Sequence, residues 1–347
     1  MALSSNFEYV DYSASFTNIP ARNRILTNLN IFQRDTTDQF KTSLDILSAM
    51  SDTIAPAAER FSNSQWGSVP KPKAANHLIE LPLFPTQSVI TAADVQPYRK
   101  FSSELRASTL DAVTAKSLAH YERFTATRER MYAEALFRHR VTDMQYTADG
   151  SEILDWSEEF GYDQSTGELS VNVTDDPLES LSDEVSKMKA RLGGLAPLLK
   201  GIYLFAGSNV FKRIRFNPAI RELVKYHVLG AQGFVFDQDL NPGFSYYQVD
   251  NVTVVEMSDT AFYGVGPNEA YLVPVMDKPL GGDQSAAFTN LVGPTSRNLE
   301  LAFADVVDFR IYSATDPLYK NITLSSEFSM LPTVFRPDLV TKLTMSA

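Results

Sequence analysis

The sequence contains no cysteine and only four histidines. Disulfides, cysteine-ligated zinc, iron–sulfur clusters and thiol nucleophiles are thereby excluded, and packing must hold the fold. Apolar runs are only a few residues long and the N-terminus lacks a basic-then-apolar pattern, so the expectation is a soluble protein made in the cytoplasm, with no membrane partner. Positive charge is in deficit: 31 Lys and Arg face 42 Asp and Glu, a net charge of −11. That balance speaks against tight nucleic-acid binding, which needs clustered cations that release counterions. What is present is a 44% apolar fraction over 347 residues, enough for a sizeable core and, by length, two or three substructures.

Segments to about Asn63 mix short apolar clusters with Ser, Thr and Asn. The spacing of Phe40, Leu44 and Leu47, with Ile46 and Met50 beside it, predicts one short helix opening at Thr36 or Thr37. Between Trp66 and Pro97 five prolines surround the alternating run His77 to Leu83, which demotes it to an edge or an exposed ribbon. Folded as a hairpin, each arm of about 15 residues would reach on the order of 50 Å, too far to stay on its own domain.

From Tyr98 to about Arg140 there is neither Pro nor Gly. Leu110, Val113, Leu118, Tyr121, Phe124, Met131 and Ala135 fall at three-four spacing, which predicts one long amphipathic helix of roughly 60 Å. A compact globule of this chain length would be only about 52 Å across, so an elongated or flat subunit with a helical spine is expected. Met144 to Tyr162 reads as a hairpin turning at Asp149-Gly150. A helix over Pro177 to Leu192, a strand over Gly201 to Ala206 and a helix capped by Asn217-Pro218 follow. Strands are expected at Tyr246 to Met257, Tyr271 to Met276, Ile322 to Phe328 and Asp338 to Thr344.

Charge is segregated along the chain. Asp143 to Glu184 holds thirteen acidic residues and no Lys or Arg, while Lys187 to Lys225 holds nine basic residues and one acid, Glu222. These are two solvated faces or patches that meet across copies of the same chain. No motif for catalysis emerges. There is no phosphate-cradling loop, the glycines of Gly264-Val265-Gly266 and Gly281-Gly282 read as turns, and His77, His120, His139 and His227 have no partner at ligand spacing. Asp155, Glu158 and Glu159 are more simply a solubilising edge than a catalytic carboxylate pair, and Ser208 reads as a helix cap.

The order of arm, Pro-rich ribbon, long helix, hairpin, mixed α/β part and returning strands resembles the lambda-type major capsid protein E family of tailed bacteriophages, with the Hong Kong 97-like α+β fold. The phrases that carry the resemblance are Val69-Pro-Lys-Pro-Lys73, Ile79-Glu-Leu-Pro-Leu-Phe84, Ile90-Thr-Ala-Ala-Asp-Val95 and Tyr98-Arg99, then Gln145-Tyr-Thr-Ala-Asp-Gly150, Gly266-Pro-Asn-Glu-Ala-Tyr-Leu272 and Leu331-Pro-Thr-Val-Phe-Arg-Pro-Asp338. It spans nearly the whole chain, and the order of the phrases gives it weight.

The resemblance implies an N-terminal arm (1–63), an extended E-loop (64–97), a peripheral domain on the spine helix (98–175 with 307–347) and an axial domain (176–306). It implies self-assembly into hexamers and pentamers of an icosahedral shell around double-stranded DNA, with portal, scaffold and decoration proteins as further partners and no cofactor or metal. Subunit contacts would come from Trp66, Lys71, Lys73, Leu81, Leu83 and Phe84, without the covalent lysine cross-link of some capsids of this fold. An encapsulin-type compartment shell, a tail or baseplate protein and a β-rich carbohydrate-active hydrolase are the competing readings.

Overall fold

The computed structural model describes residues 9–11, 24–46, 75–96, 105–142, 152–171, 176–221, 245–249, 251–276, 287–295, 305–316 and 321–346. In chain order these form β1 (Tyr9–Asp11), α1 (Ile25–Asn28), β2 (Gln33–Thr36), β3 (Lys41–Ile46), β4 (Ala75–Glu80), β5 (Leu83–Ile90), α2 (Ala92–Val95) and the long α3 (Leu105–Arg138). There follow β6 (Arg140–Thr142), β7 (Glu152–Asp155), α4 (Trp156–Phe160), β8 (Ser165–Ser170), α5 (Pro177–Leu192), β9 (Leu199–Gly207) and α6 (Ser208–Arg215). The last part comprises β10 (Tyr246–Val249), β11 (Val252–Met257), α7 (Thr260–Tyr263), β12 (Glu269–Met276), β13 (Phe288–Val292), β14 (Arg310–Thr315), β15 (Ile322–Val334) and β16 (Thr341–Ser346). Among the described residues no helix is long and apolar enough to cross a membrane.

The chain divides into two compact units. The first comprises 1–42, 79–132 and 290–332. Its sheet runs β1-β14-β15-β13-β2, and β5 also pairs with β15. Thirteen-residue β15 takes β14 along one side from Ile322 to Glu327 and β5 along the other from Ile322 to Ser329, both antiparallel. Helix α3, about 50 Å long by its 34 residues, packs on this sheet. Phe124 lies 5.0 Å from both Phe309 and Phe328, and Phe328 in turn stacks on Phe84. Ile90, Ala112 and Val113 make a smaller cluster with Val95 and Ile322.

Not every residue of the expected helical stripe is inside. Val113, Phe124 and Met131 are buried, whereas Leu110 and Leu118 stay 59% and 41% exposed. At about 100° per residue Leu118 lies roughly 120° around the helix from Phe124, off the covered face. Leu110 shares that face but sits near the helix start, where the cover is the small Ile90 cluster. Toward its other end α3 is buried on all sides from Met131 to Phe137, because other segments wrap it.

The second unit comprises 43–78, 133–289 and 333–347. Its six-stranded sheet runs β10-β11-β9-β12-β16-β8, with β9 parallel to β11 and β8 parallel to β16. Strand alternation sorts β9 into two faces. Ile202, Leu204 and Ala206 join Leu181, Val185 and Met188 of α5 and Val210, Phe211 and Ile214 of α6 in one core, while Phe205 meets Phe137 at 5.5 Å on the other face. The β9–α6 turn requires a glycine, since a Cβ on Gly207 would overlap the carbonyl oxygens of Gly266 and Pro267. That approach lets the Asn209 N–H donate to the Pro267 carbonyl at 3.1 Å.

Four expectations are corrected. The short helix at Thr36 is instead β2 followed by β3, because Thr42, Leu44 and Ile46 also fit a period of two and β3 finds a strand partner in β4. The ribbon does not fold back on itself through β5: β4 pairs with β3, and β5 pairs with β15. The hairpin after α3 is the short β6–β7 pair, with Arg140 opposite Asp155, and Trp156 to Phe160 is helical; its Asp149-Gly150 turn lies outside the described residues. Asp155 caps α4 by accepting from the N–H groups of Ser157 and Glu158, and Glu158 and Glu159 sit in its first turn, where the helix dipole favours acids. The cap of α6 is Gly207, with Ser208 as the first helical residue. Asn217 does start a helix, its Oδ1 accepting from the Ala219 N–H at 2.9 Å. Strands β8 and β16 share one sheet with β9 to β12.

Candidate assembly surfaces

Of the residues expected at subunit contacts, Trp66, Lys71 and Lys73 lie outside the described residues. Leu81 is 5% exposed, its Cδ2 filling the space that a side chain at Gly293 would take. Its area is therefore spent inside its own subunit. Leu83 and Phe84 are half-buried on β5, with the Phe84 ring 4.9 Å from Phe328. Among the described residues β5 has a strand on one side only, so one row of its backbone groups faces away from the sheet.

The base of the ribbon is clearly defined. The Leu81 N–H donates to the Phe40 carbonyl at 2.9 Å, and Lys41 Nζ lies 3.3 Å from Glu80. The contacts Phe40–Leu81 and Lys41–Glu80 step in opposite directions along the chain, as in a hairpin, so β3 leads the chain out to Ile46 and β4 leads it back from Ala75. The exposed Lys41–Glu80 pair adds little stability. Phe40 and Leu78 are 54% and 71% exposed, apolar area that an isolated subunit leaves in water.

Upstream of the ribbon, Glu129 of α3 is fully buried. Its carboxylate accepts from the Leu26 N–H at 2.7 Å, the Thr27 N–H at 3.0 Å and Thr27 Oγ1 at 2.7 Å. Phe32 stacks on Tyr132 with centroids 4.6 Å apart. Residues 24–32 are thus fastened to the spine helix before the chain enters β2. Nothing in the sequence marks Glu129, because it lies outside the apolar stripe and is buried by the segment it holds.

Both charge runs fall within the second unit. Glu168, Asp176, Glu179 and Asp183 are exposed around β8 and the start of α5, and Lys212, Arg213, Arg215 and Arg221 are exposed on and after α6. Beside those cations Phe216 is 54% exposed, with the guanidinium carbons of Arg215 and Arg221 at 5.7 and 5.2 Å from its ring centre. The sequence reading noted the basic run and missed the aromatic residue within it.

The histidines are packing elements where described. His120 is buried between Ser88 Oγ at 2.9 Å and Ser326 Oγ at 2.7 Å, pinning α3 to β5 and β15. Burial, then Arg123 and Lys116, lower its pKa. His139 is 2% exposed, and burial lowers its pKa to about 4 against the opposing pull of Asp155, the Leu136 backbone and Asp338. The side chains of His77 and His227 lie outside the described residues. Among the described residues no group of three His, Cys, Asp or Glu could hold a metal.

Residues 10–345 match the family model described as Phage major capsid protein E. No curated protein matches the chain. The putative capsid protein of a prophage of E. coli CFT073 is similar over 97% of this chain and 99% of its own, at 11% identity and a TM-score of 0.55. The mature capsid of bacteriophage PhiM1 is similar over 92% of this chain and 86% of its own, at 12% identity and a TM-score of 0.53. The capsid of Myoviridae phage XM1 is similar over 95% of this chain and 94% of its own, at 12% identity and a TM-score of 0.50. These likenesses show the Hong Kong 97-like fold, and the family match covers all but the chain ends. On that match the chain belongs to the Phage major capsid protein E family, the structural head-shell proteins of tailed bacteriophages.

Proposed function

We propose that the chain assembles with copies of itself into hexamers and pentamers of an icosahedral head around double-stranded DNA. Shell formation takes place in the host cytoplasm, with portal, scaffold and decoration proteins as partners. The chain acts by assembly and not by catalysis. The observation that supports this reading best is the ribbon base, where paired β3 and β4 launch and receive 28 residues, 47–74, with Phe40 and Leu78 exposed beside them. Many modest contacts suit a shell, because several patches of about 1,600 Å² or less hold collectively while each stays reversible. Trp66, Lys71 and Lys73 on the connecting segment, with Leu83 and Phe84 on β5, are the contact residues of this proposal. Residues 1–63 act as the arm, the spine-helix part lies at the periphery, and the part around α5 and α6 points to the ring axis. A negative chain suits a container, since a wall rich in cations would trap the DNA it must release.

The test removes 47–74 and joins Ile46 to Ala75 by a short Gly-Ser turn, which spares β4 and β5. The expected product is a folded subunit that sediments as a monomer. Shells of normal size from this variant would refute the role of the ribbon.

A further inference from the structure

The fold brings the acidic and basic stretches to opposite edges of one sheet. In the order β10-β11-β9-β12-β16-β8, helix α6 packs on β9 and β11 and reaches edge strand β10, where the Phe211 and Tyr247 rings are 4.9 Å apart. Helix α5 packs on β8 at the other edge, where the Ser170 N–H donates to Ser180 Oγ at 3.1 Å. One edge thus exposes Lys212, Arg213, Arg215 and Arg221, and the other exposes Glu168, Asp176, Glu179 and Asp183. The cations of α5 fall in its last two turns, where Lys187 binds Glu184 and Arg191 donates to Thr341, with Lys189 exposed between them.

Phe216 decides which partner fits the basic edge. Its ring is 54% exposed and flanked by Arg215 and Arg221. A DNA duplex offers phosphates to the guanidinium groups, but it takes a phenyl ring only by unstacking a base step, which costs stacking energy. A protein surface offers both carboxylates and apolar ground, and aromatic and Arg side chains are the usual anchors of protein interfaces.

We infer that the α6–β10 edge of one copy docks head to tail on the α5–β8 edge of the next copy, with Phe216 as its anchor. Two different patches on the same chain make a heterologous contact, which closes into a ring where the rotation allows. The inference rests on the shell reading above and names the surface through which its rings close. Complementary charge sets the register and speeds encounter, while the buried ring supplies the affinity.

The full chain is tested as two charge-reversed forms. Lys212→Glu, Arg215→Glu and Arg221→Glu together turn the basic edge net acidic, and Glu168→Lys, Glu179→Lys and Asp183→Lys together turn the acidic edge net basic, with the Asp176 cap of α5 left in place. Sedimentation velocity and electron microscopy should show that the parent assembles and that each form alone loses its rings. An equimolar mixture should recover rings, six-membered in preference to five-membered, since strict alternation cannot close an odd ring. Phe216→Ser should raise the concentration needed for assembly by about thirtyfold at an unchanged melting temperature. The inference is overturned if either reversed form or Phe216→Ser assembles like the parent, or if the mixture stays apart although both forms melt like the parent. Should a reversal unfold the chain, the Phe216→Ser result decides alone. A form with the reversed α6–β10 edge that assembles normally but no longer retards a DNA fragment would give the basic edge to nucleic acid and also overturn it. A parent that never assembles refutes the shell reading itself, whereas indifferent variants of an assembling parent refute only this contact.

Discussion

Truncating Glu129 to alanine should unfasten the segment that leads into the ribbon. Its carboxylate receives two backbone N–H groups and one hydroxyl within 3.0 Å, and Leu26 at the centre of that contact is fully buried. The Thr27 hydroxyl can turn to another acceptor, but the two amides cannot. Hydrogen bonds to a charged acceptor contribute about 1.5–3 kcal/mol each, and buried orphaned donors cost about 1–3 kcal/mol, so a loss of about 2–5 kcal/mol is expected. Against a typical stability of about 5–15 kcal/mol that is a severe but survivable loss. Glu129→Gln keeps one carbonyl oxygen and turns an NH₂ toward the remaining donors, so its loss should be smaller. Urea denaturation of the unassembled chain measures the change, and hydrogen exchange at Leu26 and Thr27 locates it. If Glu129→Ala costs under about 1 kcal/mol and both amides stay as protected as in the parent, the carboxylate does not hold this segment.

Three further outcomes follow from the packing. Phe124→Asp places an unpaired charge against Phe309 and Phe328 and should unfold the subunit, whereas Leu118→Asp, at a 41% exposed position, should leave the melting temperature nearly unchanged. Equal melting of the two variants would refute the assigned face of α3. Gly207→Ala should destabilise the second unit or abolish soluble expression, because the obstacles are backbone carbonyls that cannot step aside; normal thermal unfolding would show that the β9–α6 turn yields. Burial holds the His139 pKa at about 4, below its unfolded 6.5, so its contribution is complete above pH 6.5 and falls away toward pH 4, by about 3 kcal/mol in all. His139→Asn, a residue that tolerates the positive φ of 52° there, should flatten that part of the stability profile. An unaltered acid limb in equilibrium unfolding would refute the assignment.

Periodicity and punctuation determined a good deal from the sequence. The absence of Pro and Gly from 98 to 140 left a long helix as the simplest reading, and α5 runs from Pro177 to Leu192 as its Asp cap, first-turn Pro and apolar spacing require. Ordered phrases over nearly the whole length indicated the family, which single motifs could not. Pairing was decided only in three dimensions. Phe40 to Met50 satisfies a helical and a strand period alike, and the choice fell to β4 lying within hydrogen-bonding reach. Strand partners are non-local, so nothing near β5 reveals that β15, over 200 residues later, takes its edge. Leu118 and Glu129 show the same limit from two sides, since an apolar residue left in water and a carboxylate sealed from it depend on which distant segments cover each face of one helix. The charge runs were legible as runs, but their placement on opposite edges of a sheet follows from strand order, which local chemistry does not encode.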